Sequence, residues 1–193
     1  MRKILVGLVM VMLLSGCKIE KIEQLEKTDV FVAGYDVDDS HVFVNTSSND
    51  IINIFKRGTG IIYFGYPESL FCQEIVKILD EISKQNDIKQ IYYLNVNELK
   101  KSNPSAYQEI LSLVSDYLYY EDEANNKILY LPDVYFVKDG NIIGNHISTN
   151  IIHDELVHSE GEWIDLTRKE KNEIKNIFLG LLTQLYSCNC SCN

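Results

Sequence analysis

The segment GIIYFGYPESLFC, residues 60–72, followed by QEIVKILDEISKQ, residues 73–85, decides the fold of this chain. Its apolar run from Ile61 to Phe64 predicts a buried strand, which Gly65 and Pro67 end. A helical period of apolar residues then follows, at Phe71, Ile75, Val76, Leu79 and Ile82. The pattern therefore predicts a strand, a tight turn and a helix.

A single cysteine, Cys72, falls in the first turn of the predicted helix. Unpaired backbone N–H groups and the positive end of the helix dipole meet at this position, and both stabilise a thiolate. We therefore expect Cys72 to have a lowered pKa, and we take it as a candidate catalytic residue.

Two later segments predict further strands. The run IYYLNV, residues 91–96, predicts a strand, and a strand–helix–strand unit places its two strands parallel in one sheet. The segment YLPDVYFVKDGNIIGNHI, residues 130–147, predicts a hairpin that turns at Asp139-Gly140. Proline cannot donate to a sheet ladder, so Leu131-Pro132 must stand at the start or edge of a strand.

Together these segments resemble the thioredoxin superfamily, and most closely the extracytoplasmic lipoproteins of Gram-positive bacteria known as bacteriocin transport accessory proteins. The resemblance implies an α/β, thioredoxin-like fold: a central mixed β-sheet flanked by helices, with a helical insert before a strand that begins at a cis Leu131-Pro132 bond. It also implies that Leu131 and Pro132 bind an extended substrate chain by strand addition.

The resemblance places Cys72 at the second cysteine of the family's Cys-x-x-Cys motif and Ser69 at the degenerate first position. In a dithiol exchanger the first cysteine is the attacking nucleophile, and the second resolves the mixed disulfide. A serine hydroxyl cannot attack a disulfide at neutral pH. The usual exchange cycle is therefore unavailable to Ser69 and Cys72 alone.

The first residues have the pattern of a targeting segment. Basic Arg2 and Lys3 precede an apolar run, residues 4–13, that is too short to span a bilayer, and residues 14–17, LSGC, resemble the bacterial lipobox. We predict a lipoprotein signal peptide at residues 1–16 and diacylation of the Cys17 thiol; the alternative is an uncleaved membrane anchor. Either way the chain would be held at the extracytoplasmic face of the cell membrane.

Residues 17–29 are interpreted as a lipidated N-terminus and tether, or as a short amphipathic helix, and residues 30–187 as the thioredoxin-like domain. Two β-type runs, residues 29–37 and 41–45, predict either a hairpin or edge strands. A short helix is expected at residues 51–56, an inserted helix opening at Asn103-Pro104, and a last helix with a capping box from Thr167 to Glu170.

Charge and histidine spacing exclude some functions. The formal net charge is −10, whereas a nucleic-acid-binding protein needs a basic footprint. The four histidines show no two-ligand helical spacing, and we expect them on a solvated acidic face without a metal site: His41, His146, His153 and His158. No cofactor is predicted.

The Cys-rich tail, residues 188–193, carries Cys188, Cys190 and Cys192. These thiols can be incidental or form a structural disulfide, which export permits. They can instead form a strained, easily reduced pair that serves as a redox relay. A third alternative is binding of a soft metal such as Cu(I).

Three functions remain open at this point. The first is a divergent thiol–disulfide oxidoreductase in which Cys72 works with a tail cysteine. The second is a non-catalytic accessory protein that binds exported polypeptides beside the cis-proline. The third is a soft-metal-binding lipoprotein. The expected partners are exported polypeptides or extracytoplasmic thiol proteins, together with the membrane through lipidated Cys17, and not nucleic acid.

Overall fold

One mixed sheet of five strands lies at the centre of the fold. The structure, a computed structural model, describes residues 31, 34–118, 120–121, 124–147 and 166–187. The strands in these residues are β1 Phe43–Asn45, β2 Gly60–Gly65, β3 Ile91–Asn95, β4 Tyr120–Glu121, β5 Lys127–Ile128, β6 Asp133–Lys138 and β7 Asn141–Ile147. The large sheet has the order β1-β3-β2-β6-β7, and β4 pairs with β5 in a small separate hairpin.

Helices pack on both faces of this sheet, so the predicted α/β class is confirmed. They are α1 Ser48–Arg57, α2 Leu70–Gln85, α3 Val96–Ser102, α4 Pro104–Leu113 and α5 Arg168–Tyr186, with a 3-10 turn at Ser115–Tyr117. No helix in the described part of the chain is long and apolar enough to cross a membrane. The predicted signal peptide, tether and Cys-rich tail lie outside the described residues.

The unit β2–α2–β3 is the predicted parallel pair. The register runs from Ile62 opposite Tyr92 to Gly65 opposite Asn95, so both strands end at the same edge of the sheet. Strand β1 extends this parallel part by pairing with β3. The three parallel strands thus present their carboxyl ends together.

The hairpin β6–β7 completes the sheet on the other side of β2. The Leu131-Pro132 peptide bond is cis, as the resemblance implied. Strand β6 runs antiparallel to β2 and begins with Asp133 opposite Phe64. The turn has positive φ at Asp139 (49°) and Gly140 (76°), which is the backbone that an Asp-Gly hairpin turn adopts.

Two apolar clusters hold the layers together. The first lies between the sheet and helices α2 and α5, and its largest members outside α2 include Phe43, Tyr63, Phe136 and Phe178. The second lies between the sheet and helices α1, α3 and α4, and it includes Ile51, Phe64, Ile110 and Tyr135.

Two local predictions need correction. Residue 31 and residues 34–37 contain no strand, because their aromatic side chains pack into the first cluster and not along a sheet edge. Val96, which we assigned to a strand, begins α3, whose first N–H groups are accepted by the Asn95 side chain. The acidic segment after the 3-10 turn contains the short β4–β5 pair.

Helix starts and ends were predicted well where a capping residue stands beside a helical period. Asn103 caps α4, with Pro104 at its start. Thr167 and Glu170 form the predicted capping box of α5. Helix α1 ends at Gly58, whose N–H donates to the Ile54 carbonyl oxygen.

Candidate functional site

Ser69, the residue at the degenerate motif position, is the N-cap of α2. Its Oγ accepts a hydrogen bond from the Cys72 backbone N–H at 3.3 Å, and its own backbone is extended. Serine is among the preferred residues at this position because it satisfies an N–H that the helix leaves unpaired. The Ser69 hydroxyl therefore caps the N-terminus of α2.

Cys72 is fully buried, with 0% of its surface exposed, and it is a free cysteine. Burial raises the pKa of its thiol, and the negative charge of Glu68 acts in the same direction. The Tyr66 backbone and the Ser69 and Tyr63 hydroxyls oppose this rise without cancelling it. Our expectation of a lowered pKa is wrong, because desolvation outweighs the stabilising effect of the helix terminus.

Three buried tyrosines stand around the thiol. The rings of Tyr35, Tyr63 and Tyr93 lie 5.7–6.3 Å apart between centroids, and the Tyr63 hydroxyl donates to the Cys72 carbonyl oxygen at 3.3 Å. Burial raises the pKa of all three phenols. This tyrosine trio belongs to the same buried cluster as Cys72, which has no exposed surface.

Gln73 holds the segment that carries Tyr35. Its Nε2 donates to the carbonyl oxygens of Gly34 (2.7 Å) and Pro67 (2.8 Å), and its Oε1 accepts from the Asp36 N–H (3.2 Å). One side chain thus ties residues 34–36 to the turn between β2 and α2. Gly34 lies so close that an added Cβ would stand 3.0 Å from the Pro67 Cβ.

The accessible side of the turn carries apolar side chains beside the exposed Glu68. Leu70, the first residue of α2, is 52% exposed, and Tyr66 and Leu131 are half-buried. Pairing of β2 with β6 ends at Phe64 and Asp133, so the Leu131-Pro132 bond lies beside the residues that lead into the Ser69 turn. Pro132 itself is buried, so Leu131 is the accessible member of the predicted substrate-binding pair.

Asp133 is a buried acid at this end of the sheet that the sequence did not single out. It is 1% exposed, and its Oδ1 accepts from the Val134 N–H at 2.9 Å and from Asn145 Nδ2 at 3.3 Å. Burial raises the pKa of its carboxyl to about 7. An acid after a proline at a strand start gives no local signal of burial, so the sequence could not have identified it.

Two histidines contradict the predicted solvated face. His41 is 1% exposed and accepts the Phe43 N–H at its Nδ1, and His146 is 7% exposed beside Phe178. Burial lowers the pKa of His146 to about 4. His153 and His158 lie outside the described residues. Within the described ranges, no group of His, Cys, Asp and Glu side chains could hold a metal ion.

The candidate relay and lipidation residues also lie outside the described residues: Cys17, Cys188, Cys190 and Cys192. The last described residue, Ser187, accepts at its carbonyl oxygen from Lys138 Nζ at 2.6 Å, at the end of β6 opposite the cis-proline. Strand β6 spans about 17 Å, and a residue adds at most about 3.5 Å of reach. A tail cysteine that reached Cys72 would therefore have to span roughly the length of β6. The relay between Cys72 and the tail stays a prediction.

No protein-family model matches the chain, and no curated protein matches it. Solved structures similar to it include thioredoxin O2 from Arabidopsis thaliana in the oxidised state, with 12% sequence identity, a TM-score of 0.39, and coverage of 63% of this chain and 96% of that one. Thioredoxin O1 from the same plant, also oxidised, has 18% identity, a TM-score of 0.39, and coverage of 61% and 96%.

The sheet itself carries the fold assignment. Its three parallel strands, the antiparallel hairpin on the far side of β2 and the cis-proline before β6 match the architecture that the sequence resemblance implied. The described part of the chain has a thioredoxin-like fold.

Proposed function

We propose that this chain is a membrane-anchored, extracytoplasmic lipoprotein that binds extended segments of exported polypeptides at the Ser69 turn, without thiol–disulfide exchange at that turn. The observation that carries the proposal is the contrast within the first turn of α2. Leu70 is 52% exposed, whereas Cys72 is completely buried. The accessible surface of this turn thus includes a large apolar side chain, whereas the sulfur atom is buried.

Exchange at this turn lacks its chemical requirements. A thiolate must reach a disulfide sulfur, and the rate depends on the thiolate fraction and on access. Cys72 has a raised pKa and no exposed surface, and Ser69 has no thiol. A partner disulfide could not approach Cys72 while the thiol is fully buried.

Polypeptide binding is supported by the apolar character of the surface. Leu70 is one of only four large hydrophobic residues exposed in the described part of the chain, and Leu131 and Tyr66 are half-buried beside the same turn. Exposed apolar side chains grouped around a shared edge are typical of interaction sites. An extended chain could cover them and so remove apolar surface from water.

The proposal is tested with a fluorescently labelled peptide of about ten alternating valine and threonine residues, titrated against the chain in fluorescence anisotropy. We expect Leu70→Ser to weaken binding about tenfold, because covering a half-exposed leucine contributes roughly 1.4 kcal/mol. Leu179→Ser is the matched control, since Leu179 is 38% exposed on α5, away from this turn. Cys72→Ala should also leave binding unchanged.

Unaltered binding in Leu70→Ser would overturn the proposed site, and loss of binding in Cys72→Ala would indicate that the thiol takes part in binding.

The lipid anchor is tested in a separate experiment. Metabolic labelling with palmitate should mark the wild-type chain and fail to mark Cys17→Ser. Incorporation in Cys17→Ser would contradict the lipoprotein part of the proposal.

A further inference from the structure

A surface groove of about 420 Å³ lies between the last two turns of α5 and the turn that follows α2. Leu179 and Tyr186 line it, and they are 38% and 58% exposed. They are two of only four large hydrophobic residues exposed in the described part of the chain. Ile88 and Leu182 also line the groove, but both are almost completely buried, so Leu179 and Tyr186 supply its accessible apolar surface.

The rim of the groove is polar. Asn86 and Asp87 lie on the turn after α2, and Thr183 lies on α5; all three side chains are exposed. Leu179, Thr183 and Tyr186 are four and three residues apart, so they lie on one side of the helix. The groove therefore offers an apolar strip with polar groups beside it.

The described part of the chain ends beside this groove. Ser187 directly follows Tyr186 and has an extended backbone, with φ −62° and ψ 125°. Its carbonyl oxygen accepts from Lys138 Nζ at 2.6 Å, and its hydroxyl donates to the Gln184 carbonyl oxygen at 2.8 Å. These contacts fix the point from which residues 188–193 continue.

The Cys-rich tail, residues 188–193, has a length and a pattern that suit the groove. Cysteine alternates with asparagine or serine throughout the tail. In an extended chain alternate side chains point to the same side, so the three cysteines would share one side and the polar residues the other. The three cysteines would then span about 13 Å, and α5 rises about 10 Å from Leu179 to Tyr186. Cysteine itself packs as a small apolar residue.

We propose that the Cys-rich tail turns back along α5 and occupies this groove, with its cysteine side chains against Leu179 and Tyr186 and its polar side chains toward solvent. Covering these two residues removes apolar surface from water. A segment that begins next to the groove is present there at an effective concentration on the order of millimolar or above, so weak contacts are enough to hold it.

Docking in this groove would separate the tail thiols from Cys72. The groove lies beside Asn86, at the carboxyl end of α2, whereas Cys72 lies in the first turn of that helix. An α-helix rises about 21 Å over the distance from Cys72 to Asn86. A docked tail and a relay with Cys72 therefore exclude each other. The inference does not depend on peptide binding at the Ser69 turn.

The test is hydroxyl-radical footprinting of the full chain in neutral detergent and reductant, with oxidation of Leu179 and Tyr186 measured by peptide mass spectrometry. Ile177 is the internal control, since it is 40% exposed on α5 and does not line the groove. One full-length variant carries aspartate at all three tail cysteines: Cys188→Asp, Cys190→Asp and Cys192→Asp. It should raise oxidation of Leu179 and Tyr186 about threefold, because charged side chains do not cover apolar surface. Oxidation of Ile177 should not change.

Two matched variants isolate the apolar contact. Alanine at the three tail cysteines should keep Leu179 and Tyr186 protected, because alanine is also small and apolar. The second variant adds the same charge on the other side of an extended tail: Asn189→Asp, Ser191→Asp and Asn193→Asp. It should change oxidation of the two groove residues by less than about 1.5-fold, because those side chains point away from the groove.

Equal oxidation of Leu179 and Tyr186 in the wild type and in the cysteine-to-aspartate variant would overturn the proposal. Protection that falls on dilution would also overturn it, because it would assign the groove to a second copy of the chain. So would loss of protection in the alanine variant, or equal loss in the two aspartate variants. Leu70→Ser should leave this footprint unchanged, so the tail proposal and the peptide-binding proposal can fail independently.

Discussion

Leu70 and Cys72 lie two residues apart in the first turn of the same helix, yet their environments are opposite. Leu70 is half exposed and Cys72 is fully buried. Two residues of an α-helix are separated by about 200° around its axis, so they point to opposite sides. This turn of the thioredoxin-like fold therefore presents an apolar side chain to solvent, while its sulfur atom belongs to the core.

The helical period explains the position of Cys72. Ile75, Val76 and Leu79 stand three, four and seven residues after it, and all are buried in the first cluster. Cys72 is thus the first member of the core stripe of α2. Phe71, which we had placed at the start of that stripe, is only half-buried.

The largest effect is expected from removing the ring that covers the thiol. Tyr35→Ala should lower the free energy of unfolding by about 3–4 kcal/mol, because it leaves a large cavity beside Cys72. Tyr35→Phe, the matched control, should change it by less than about 1 kcal/mol, because it retains the ring. Urea denaturation of the three proteins measures both values. A loss below about 1 kcal/mol in Tyr35→Ala would show that the trio is not part of the core.

Asp133 is a second buried titratable group close to a more accessible leucine, Leu131. Its carboxyl has a pKa of about 7 in the folded chain, above the ordinary value near 4. Between those values the folded state binds more protons than the unfolded state. The free energy of unfolding should therefore fall as pH rises from about 4 to about 7, by on the order of 3 kcal/mol.

Asp133→Asn should remove this loss. The measurement is urea denaturation of both proteins from about pH 4.5 to pH 8. His146 also contributes to the pH dependence, since burial lowers its pKa, but it is common to both proteins and cancels in the difference. Parallel profiles for the two proteins would mean that Asp133 ionises in the folded chain as it does in water.

A smaller effect is expected from the sulfur atom itself. Cys72→Ala should destabilise the fold by about 1–2 kcal/mol, because it leaves a small cavity in the first cluster. Cys72→Val, which restores most of the volume, should recover part of that loss. Thermal unfolding of the variants provides the comparison. A destabilised Cys72→Ala protein that also loses peptide binding would indicate a functional thiol.

The smallest change in stability is expected from replacing Ser69, the N-cap of α2. Ser69→Ala should cost about 1 kcal/mol, because the Cys72 N–H loses its acceptor. Ser69→Asp should stay close to wild type, since aspartate also caps and its charge suits a helix N-terminus. Denaturant midpoints of the two variants measure the difference. Equal losses in both would argue that the serine is not held there as a cap.

Local patterns predicted much of this fold from the sequence. The β2–α2–β3 unit follows from an apolar run, a Gly/Pro break and a helical period, and the α4 and α5 starts follow from Asn103 and Thr167. The hairpin follows from Asp139-Gly140. In each case the signal lies within a few neighbouring residues, and the physical cause is local backbone preference.

The candidate site was less predictable because burial is decided by distant residues. Cys72 is covered by Tyr35 from a segment that we took for a strand, and Asp133 is buried by a sheet whose strands are far apart in sequence. Asn95 was a missed local signal, since an asparagine followed by helix-forming residues often caps a helix. Ser69 could have been recognised as a cap in the same way.

The proposed function depends on a Cys72 sulfur that is withdrawn from solvent in the folded chain. The most direct measurement is the rate of iodoacetamide modification of Cys72 at about pH 8, followed by peptide mapping, in native and in denaturing buffer. We predict that Cys72 reacts at least about 100-fold more slowly in the native chain, because the thiol must wait for an opening of the core. Similar rates in the two buffers would contradict the claim and restore Cys72 as an accessible nucleophile.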